Sequence, residues 1–319
     1  MNRFLSLIIP LIMVVLFISC NAGIPDTVFQ EKDGPYLSEV GQDLYMVENF
    51  NNGGNICFLV ADKGVLVVDA GYYPSGSDKV VELIRQVTKM PVKYVVYTHC
   101  HTDHVGGISA FNEKAVIIAH RNLAANLDKY VIPGVKGFRD ELQALGDDSL
   151  RLKYGDSFND RVRMEIRKPG TVFEDEHTIN MGNYIIELYF PGICHTNDNI
   201  LVLFKDQKVL HTGDLVFNQR HPFIGKQYLA NPARWRDVVA EWAQEDLSLV
   251  IPGHGEKGGT EILKAQADYF DTLINAVAEY NGSDLSIEAI AEEVHNNNFS
   301  DWEYAGYFGS AIEVLMGER

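Results

Sequence analysis

Thr98-His99-Cys100-His101-Thr102-Asp103-His104, followed by Val105-Gly106-Gly107, puts four metal-capable side chains within six residues: His99, His101, Asp103 and His104. Lys93-Tyr94-Val95-Val96-Tyr97 runs directly into it, an apolar, β-branched and aromatic stretch that reads as a buried strand. If that strand continues into the motif, its two-residue period sets His99 and His101 on one side and Cys100 on the other. Asp103 and His104 fall where the strand yields to a glycine-containing turn, so they can swing round to a second position. The stretch can therefore serve two adjacent metal ions.

Three further signals share this form. Pro191-Gly192-Ile193-Cys194-His195-Thr196 ends a strong apolar strand, His211-Thr212-Gly213-Asp214 ends the next hairpin, and Pro252-Gly253-His254-Gly255 follows a short apolar run. Each sets a ligand-capable side chain beside glycine at a strand end, where α/β folds carry their sites on loops held by a rigid scaffold.

Between these signals the chain alternates strands and helices. Strands are expected at 44–47, 56–60, 65–69, 93–97 and 115–119, with Ala61-Asp62-Lys63-Gly64 as a hairpin turn. Val80, Leu83, Ile84 and Val87 recur at helical spacing over 75–89, with Pro91 just beyond, and a short helix is expected over 105–111. Residues 120–170 are less regular and read as an insertion or lid, with a helix over 123–130 and a loop at Pro133-Gly134-Val135-Lys136-Gly137. The second half gives strands at 177–180, 184–190, 199–204, 208–211 and 249–251, and helices over 232–245, 259–280 and 286–296. This rhythm indicates α/β layers. One domain is expected over 36–280, with a helical and aromatic extension over 281–319 packed on it.

At 319 residues and 46% hydrophobic content the chain can bury a large core. Its net charge of −17 repels phosphate backbones and argues against nucleic acid as a partner. Arg3, an apolar run from Leu5 to Ile18 and then Ser19-Cys20 form an export signal too short for a comfortable membrane span. Leu16-Phe17-Ile18-Ser19-Cys20 resembles a bacterial lipobox. That resemblance implies a mature chain exported, lipid-modified at Cys20 and anchored to a bacterial membrane on its periplasmic or cell-surface face, with residues 21–35 as a tether. Cys57, Cys100 and Cys194 remain, an odd number that completes no disulfide framework, and are expected as buried thiols.

His-x-His-x-Asp-His, a later His, a Gly-Asp and a Gly-His-Gly, in this order, resemble the metallo-β-lactamase superfamily over most of residues 36–280. The resemblance implies an αββα sandwich of two mixed sheets flanked by helices. It also implies one metal held by His99, His101 and His195, a second by Asp103, His104 and His254, and Asp214 bridging both. Neutral imidazoles suit Zn²⁺, and the carboxylates also admit Fe or Mn. Asp69 resembles the family's carboxylate that orients a ligand histidine. The implied chemistry is hydrolysis of an ester, thioester, lactone or amide-type bond in a small molecule, with Asp103 holding the attacking water. Having both His104 and Asp214, the chain resembles the glyoxalase II-like and lactonase-like branches more than the dedicated β-lactamases. A β-lactamase, a mononuclear iron persulfide dioxygenase and a non-catalytic metal-binding lipoprotein stay open as alternatives. After the bridge, Phe217, Arg220, His221 and Phe223 are expected to wall the substrate, with Arg220 taking a carboxylate. Tyr228, Trp235 and Trp242 are expected in the core or on helix faces. The stretch with Trp302, Tyr304, Tyr307 and Phe308 suits either a cover for the sheet edge or a homodimer contact.

Overall fold

A computed structural model describes residues 34–280 and 283–317. The expected signal at 1–20 with Cys20, and nearly all of the tether, lie outside the described residues. Twelve strands form two sheets among the described residues. The first runs in the order β1 (Tyr36–Gly41), β2 (Leu44–Glu48), β3 (Ile56–Ala61), β4 (Gly64–Val68), β5 (Val92–Val96), β6 (Val116–His120) and β7 (Thr171–Phe173). The second has β8 (Glu176–Asn180), β9 (Ile185–Tyr189), β10 (Leu201–Phe204), β11 (Val209–His211) and β12 (Leu249–Ile251), in the spatial order β12-β11-β10-β9-β8. Both are mixed: β4-β5-β6-β7 and the β11-β12 pair are parallel, the rest antiparallel.

Strict alternation builds the layers. In β4, Leu66 and Val68 face the second sheet while Val65 and Val67 face outward onto helix α1 (Pro74–Val87). In the second sheet Val202, Val209 and Ile251 point between the sheets, whereas Leu201, Leu210 and Val250 point out to the opposite helix layer. Strands buried on both faces read as unbroken apolar runs, which is why these segments carry so few polar residues. Burying a side chain of this size contributes roughly 1.5–3 kcal/mol, so each face of each central strand is worth several.

Two short helices follow, α2 (Thr102–Val105) and α3 (Leu123–Asn126), and then α4 (Ile132–Tyr154) and α5 (Phe158–Arg163) within the expected insertion. The outer layer over the second sheet is built from α6 (Pro232–Trp242), α7 (Glu261–Glu279), α8 (Ile287–Asn298) and α9 (Gly306–Gly317). Ile290, Phe299, Phe308 and Ile312 from the C-terminal extension share one buried cluster with Trp235, Tyr269 and Phe270.

Two local expectations are corrected. Strand β5 stops at Val96, so the metal motif is not a continued strand: residues 97–101 form a bent loop and His101 caps α2. Residues 133–137 are helical, not a loop. Pro133 falls in the first turn of α4, where its missing N–H costs nothing, and the two glycines are carried inside the helix. The real break comes later, at Gly146, whose φ of 74° interrupts α4. Phe138, Leu150 and Phe158 form a small core of their own beneath it.

Candidate metal centre

Strand register decides which loops meet. Val68 pairs with Val96 in the parallel β4-β5 ladder, so Asp69 and Thr98 emerge side by side. His211 pairs with Ile251 in the parallel β11-β12 ladder, which brings Asp214 and His254 out at one edge three residues later. The two loops are then locked together, with Gly253 N–H donating to the carbonyls of Gly213 (2.7 Å) and Val216 (3.0 Å). Asn55 fastens the same corner by donating to the carbonyls of Pro252 (2.9 Å) and Gly255 (2.8 Å). His195 comes from the β9-β10 connection, whose turn is held by Asn199: its Oδ1 accepts from Thr196 N–H at 2.9 Å and its Nδ2 donates to Gly192 O at 3.1 Å. Sequence reading passed over Asn55 and Asn199. A cluster of Asn and Asp after His195 was the only local signal for the latter.

The seven expected ligands gather into two sets. His99, His101, His195 and Asp214 form the first, and Asp103, His104 and His254 the second; within each, ligand atoms lie within 4.8 Å of one another. Asp214 reaches both. Its Oδ2 lies 3.5 Å from Nε2 of His99 and of His195. Its Oδ1 lies 3.1 Å from Nε2 of His104 and 3.4 Å from Nε2 of His254. The side chain is 4% exposed, so this carboxylate is a buried charge ringed by imidazoles.

Asp69 sits behind them. Its Oδ1 accepts from Thr98 N–H at 2.8 Å, and its Oδ2 lies 2.8 Å from both Thr98 Oγ1 and His104 Nδ1. A charged partner on Nδ1 fixes the His104 ring and leaves Nε2 facing the second set. Asp69 adopts φ of 63°, a left-handed conformation that aspartate tolerates better than most residues.

Electrostatics differ between the two sets. Burial pushes His101 down to about 4 and His195 down to about 3, so both are neutral near pH 7 with lone pairs available. His254 moves the other way, up to about 9: burial opposes its charge, but Asp214 and Asp103 outweigh it. Asp103 is held near 2, because His104 and His254 outweigh the burial that would raise it. Nε2 of His99, Nε2 of His104 and Oδ1 of Asp214 are buried without a hydrogen-bond partner in the protein. Buried polar atoms left this way are costly, and convergent imidazole and carboxylate donors are the set a pair of divalent cations satisfies. The residues present fit such ions.

A cavity of about 720 Å³ opens over both sets. Phe217 stacks on His254 at 5.0 Å and Tyr228 packs on His101 at 4.3 Å, forming its floor. Phe50 and Tyr72 wall one side, Phe223, Tyr304 and Tyr307 the other. Tyr228 packs against the core from a short helical turn, as expected, and also lines the cavity; Trp235 is buried and Trp242 packs against the core, as expected of them.

Of the expected substrate wall, Phe217, Arg220 and Phe223 line the cavity. His221 does not, and that expectation is corrected. It is fully buried among Tyr269, His295, Phe299, Trp302 and Phe308, because the turn at Gln219 (φ 55°) redirects the chain and His221 N–H is drawn to Glu303 O at 2.9 Å. Arg220 lines the cavity but is already engaged: its Nε meets Glu303 Oε2 at 2.8 Å and its guanidinium lies 5.3 Å from the Tyr304 ring centre. The backbone of residue 303 pairs with that of 219 and 221 like an added strand, so the C-terminal stretch covers this edge. Cys57, Cys100 and Cys194 are buried free thiols.

Two packed mixed sheets, helices outside and a double His/Asp cluster at the sheet edge define a metal-dependent hydrolase of the αββα class. The family model for the metallo-beta-lactamase superfamily matches residues 51–254. The chain belongs to this superfamily of metal-dependent hydrolases, whose members act on small molecules. Among curated relatives it is similar to the metallo-beta-lactamase type 2 of Bacillus cereus, 25% identical over 207 residues that cover 64% of this chain and 68% of the relative. The type 2 enzyme of Bacillus sp. (strain 170) matches to the same extent. Two solved structures share the fold. A metallo-beta-lactamase from Pontibacter korlensis has a TM-score of 0.57 at 19% identity, covering 74% of this chain and 99% of that one. The stereoselective inverting sec-alkylsulfatase from Pseudomonas sp. has a TM-score of 0.67 at 17% identity, covering 88% of this chain, which spans 50% of the sulfatase.

Proposed function

We propose that this protein is a zinc-dependent hydrolase that cleaves an ester, thioester, lactone or amide-type bond at a two-metal centre. The observation that carries the reading is Asp214, whose two oxygens face two separate ligand sets at once. His99, His101 and His195 would hold one ion and Asp103, His104 and His254 the other. A zinc pair bound there supplies Lewis acidity for the substrate oxygen and makes an attacking water acidic enough to ionise near neutral pH. Asp103 is the most accessible carboxylate of the set, 28% exposed at the cavity wall, and stays ionised at working pH, so it can accept a hydrogen bond from that water and orient it. Phe217 and Tyr228 pack on the rings of His254 and His101 and steady them.

The test is metal analysis of the full-length protein followed by assays on an aryl ester, a thioester, a lactone and nitrocefin. About two zinc ions per chain, with chelator-sensitive hydrolysis of an ester, thioester or lactone, is the expected result. Turnover confined to nitrocefin would instead favour a β-lactamase, the second reading, which the similarity to the type 2 enzymes supports. One iron per chain with oxygen uptake on a persulfide would overturn both.

For the N-terminus we propose export and lipid attachment at Cys20, on the strength of the Leu16–Cys20 sequence. No helix among the described residues is long and apolar enough to cross a membrane. Labelled palmitate should enter the native protein in a bacterial host and be absent from Cys20→Ala; equal labelling of the two would end this proposal.

A further inference from the structure

Beside the metal centre lies a second cavity of about 140 Å³. Tyr72 and Thr102 line both cavities, and Thr102 stands between the ligand residues His101 and Asp103. The annex is therefore one side chain removed from the site of chemistry. Val131, Phe138 and Met164, all buried, give it an apolar side, and Tyr72, Thr102, Tyr130 and Arg161 bring polar atoms to the rest.

Arg161 stands at its wall. Several basic side chains of this region pair with carboxylates, Arg151 with Asp147, Lys153 with Glu141, Arg163 with Asp78 and Lys168 with Asp128, while Arg139 donates to the Met164 carbonyl and does not line the annex. Arg161 has no carboxylate within 4.0 Å among the described residues. It donates from Nε to Ser157 Oγ at 3.2 Å and from Nη2 to the Tyr73 hydroxyl at 3.5 Å, and lies over the Tyr154 ring at 4.6 Å. These are neutral partners that hold the guanidinium in place without a direct ion pair. Arg220, by contrast, is neutralised by Glu303.

We infer that the substrate is an acid: it carries a carboxylate at the end of an apolar arm, and Arg161 receives that carboxylate in the annex while the scissile bond lies over the metal ligands. This takes the bond cleavage from the hydrolase reading above, but the annex stands apart from it. A planar guanidinium fork matches a carboxylate, and apolar walls match the arm. A chain of net charge −17 repels anions at long range, so an acidic substrate needs a local unpaired cation to dwell there.

Calorimetry on the full-length, zinc-loaded protein tests it with 4-phenylbutanoate and its neutral counterpart 4-phenylbutan-1-ol. The acid should bind at least about tenfold more tightly than the alcohol. Arg161→Met should remove that advantage and leave the alcohol unchanged, while Arg161→Lys keeps part of it. Val135→Trp, which narrows the annex while keeping the Arg161 side chain, should weaken the acid as well. An acid advantage that survives Arg161→Met, or none in the native protein, overturns the inference. In a parallel assay, mono-4-nitrophenyl adipate should be preferred to 4-nitrophenyl hexanoate through KM, and Arg161→Met should equalise them. If neither ester is cleaved while binding still depends on Arg161, the hydrolase reading fails and the annex stands. If both are cleaved alike and binding ignores Arg161, the annex fails and the hydrolase reading stands.

Discussion

An Asp214→Asn variant is expected to lose metal from both ligand sets and to fall in hydrolytic rate by on the order of 10³-fold, more than an isolated electrostatic contact usually costs. The two sets share no other ligand. Each Asp214 oxygen serves one of them, at 3.5 Å from His99 and His195 and at 3.1 and 3.4 Å from His104 and His254. Asparagine keeps the shape, but turns one of these oxygens into an NH₂ group that cannot accept and removes the negative charge four imidazoles face. Buried charges stripped of their partner are unfavourable by several kcal/mol, so the remaining cluster should hold neither ion at normal affinity. Mass spectrometry of bound metal together with turnover checks this. A variant that kept both ions and full rate would remove Asp214 from its shared role.

Gly253→Ala should be almost as damaging although Gly253 binds nothing itself. A Cβ there would sit 2.1 Å from Asp214 Oδ1 and 2.6 Å from the carbonyl carbon of Gly213. The first contact is with a ligand carboxylate and the second with backbone, so neither can move aside cheaply. The same residue donates the hydrogen bonds that join the Asp214 and His254 loops. Overpacking of this kind costs about 1–3 kcal/mol or more. Here it also pulls two ligands apart, so metal affinity and thermal midpoint should fall together. Gly134→Ala is the control, because an added Cβ in α4 meets nothing within 4 Å and alanine suits a helix. Equal behaviour of the two variants would refute the packing argument.

Local pattern carried much of this molecule. Alternation in Val65–Val68 and in Leu201–Phe204 follows from strands buried on both sides, a property each segment shows by itself. The helix over α1 was visible in the spacing of Val80, Leu83 and Ile84. Where the pattern misled, competing contacts won. Residues 133–137 looked like a loop because Pro and Gly usually break helices, yet Pro133 is harmless at a first turn. His221 looked like a site residue because it follows Arg220, but the turn at Gln219 and the distant C-terminal aromatics draw it into the core. Tyr228 gave no local sign that it would pack on His101.

The sequence by itself determined that histidines and aspartates able to hold metal stand at strand ends, because residue identity and spacing are local properties. It could not say which oxygen of Asp214 faces which imidazole, nor that Asn55 and Gly253 lock the loops. It also put Arg220 forward to take a substrate carboxylate. Only the tertiary structure decided that Glu303, 83 residues away, pairs with Arg220 and that Arg161 stands without a direct ion pair beside Tyr72 and Thr102. Charge compensation is a matter of distance in space, and residues that far apart meet only when the sheets and helices have set where each loop ends.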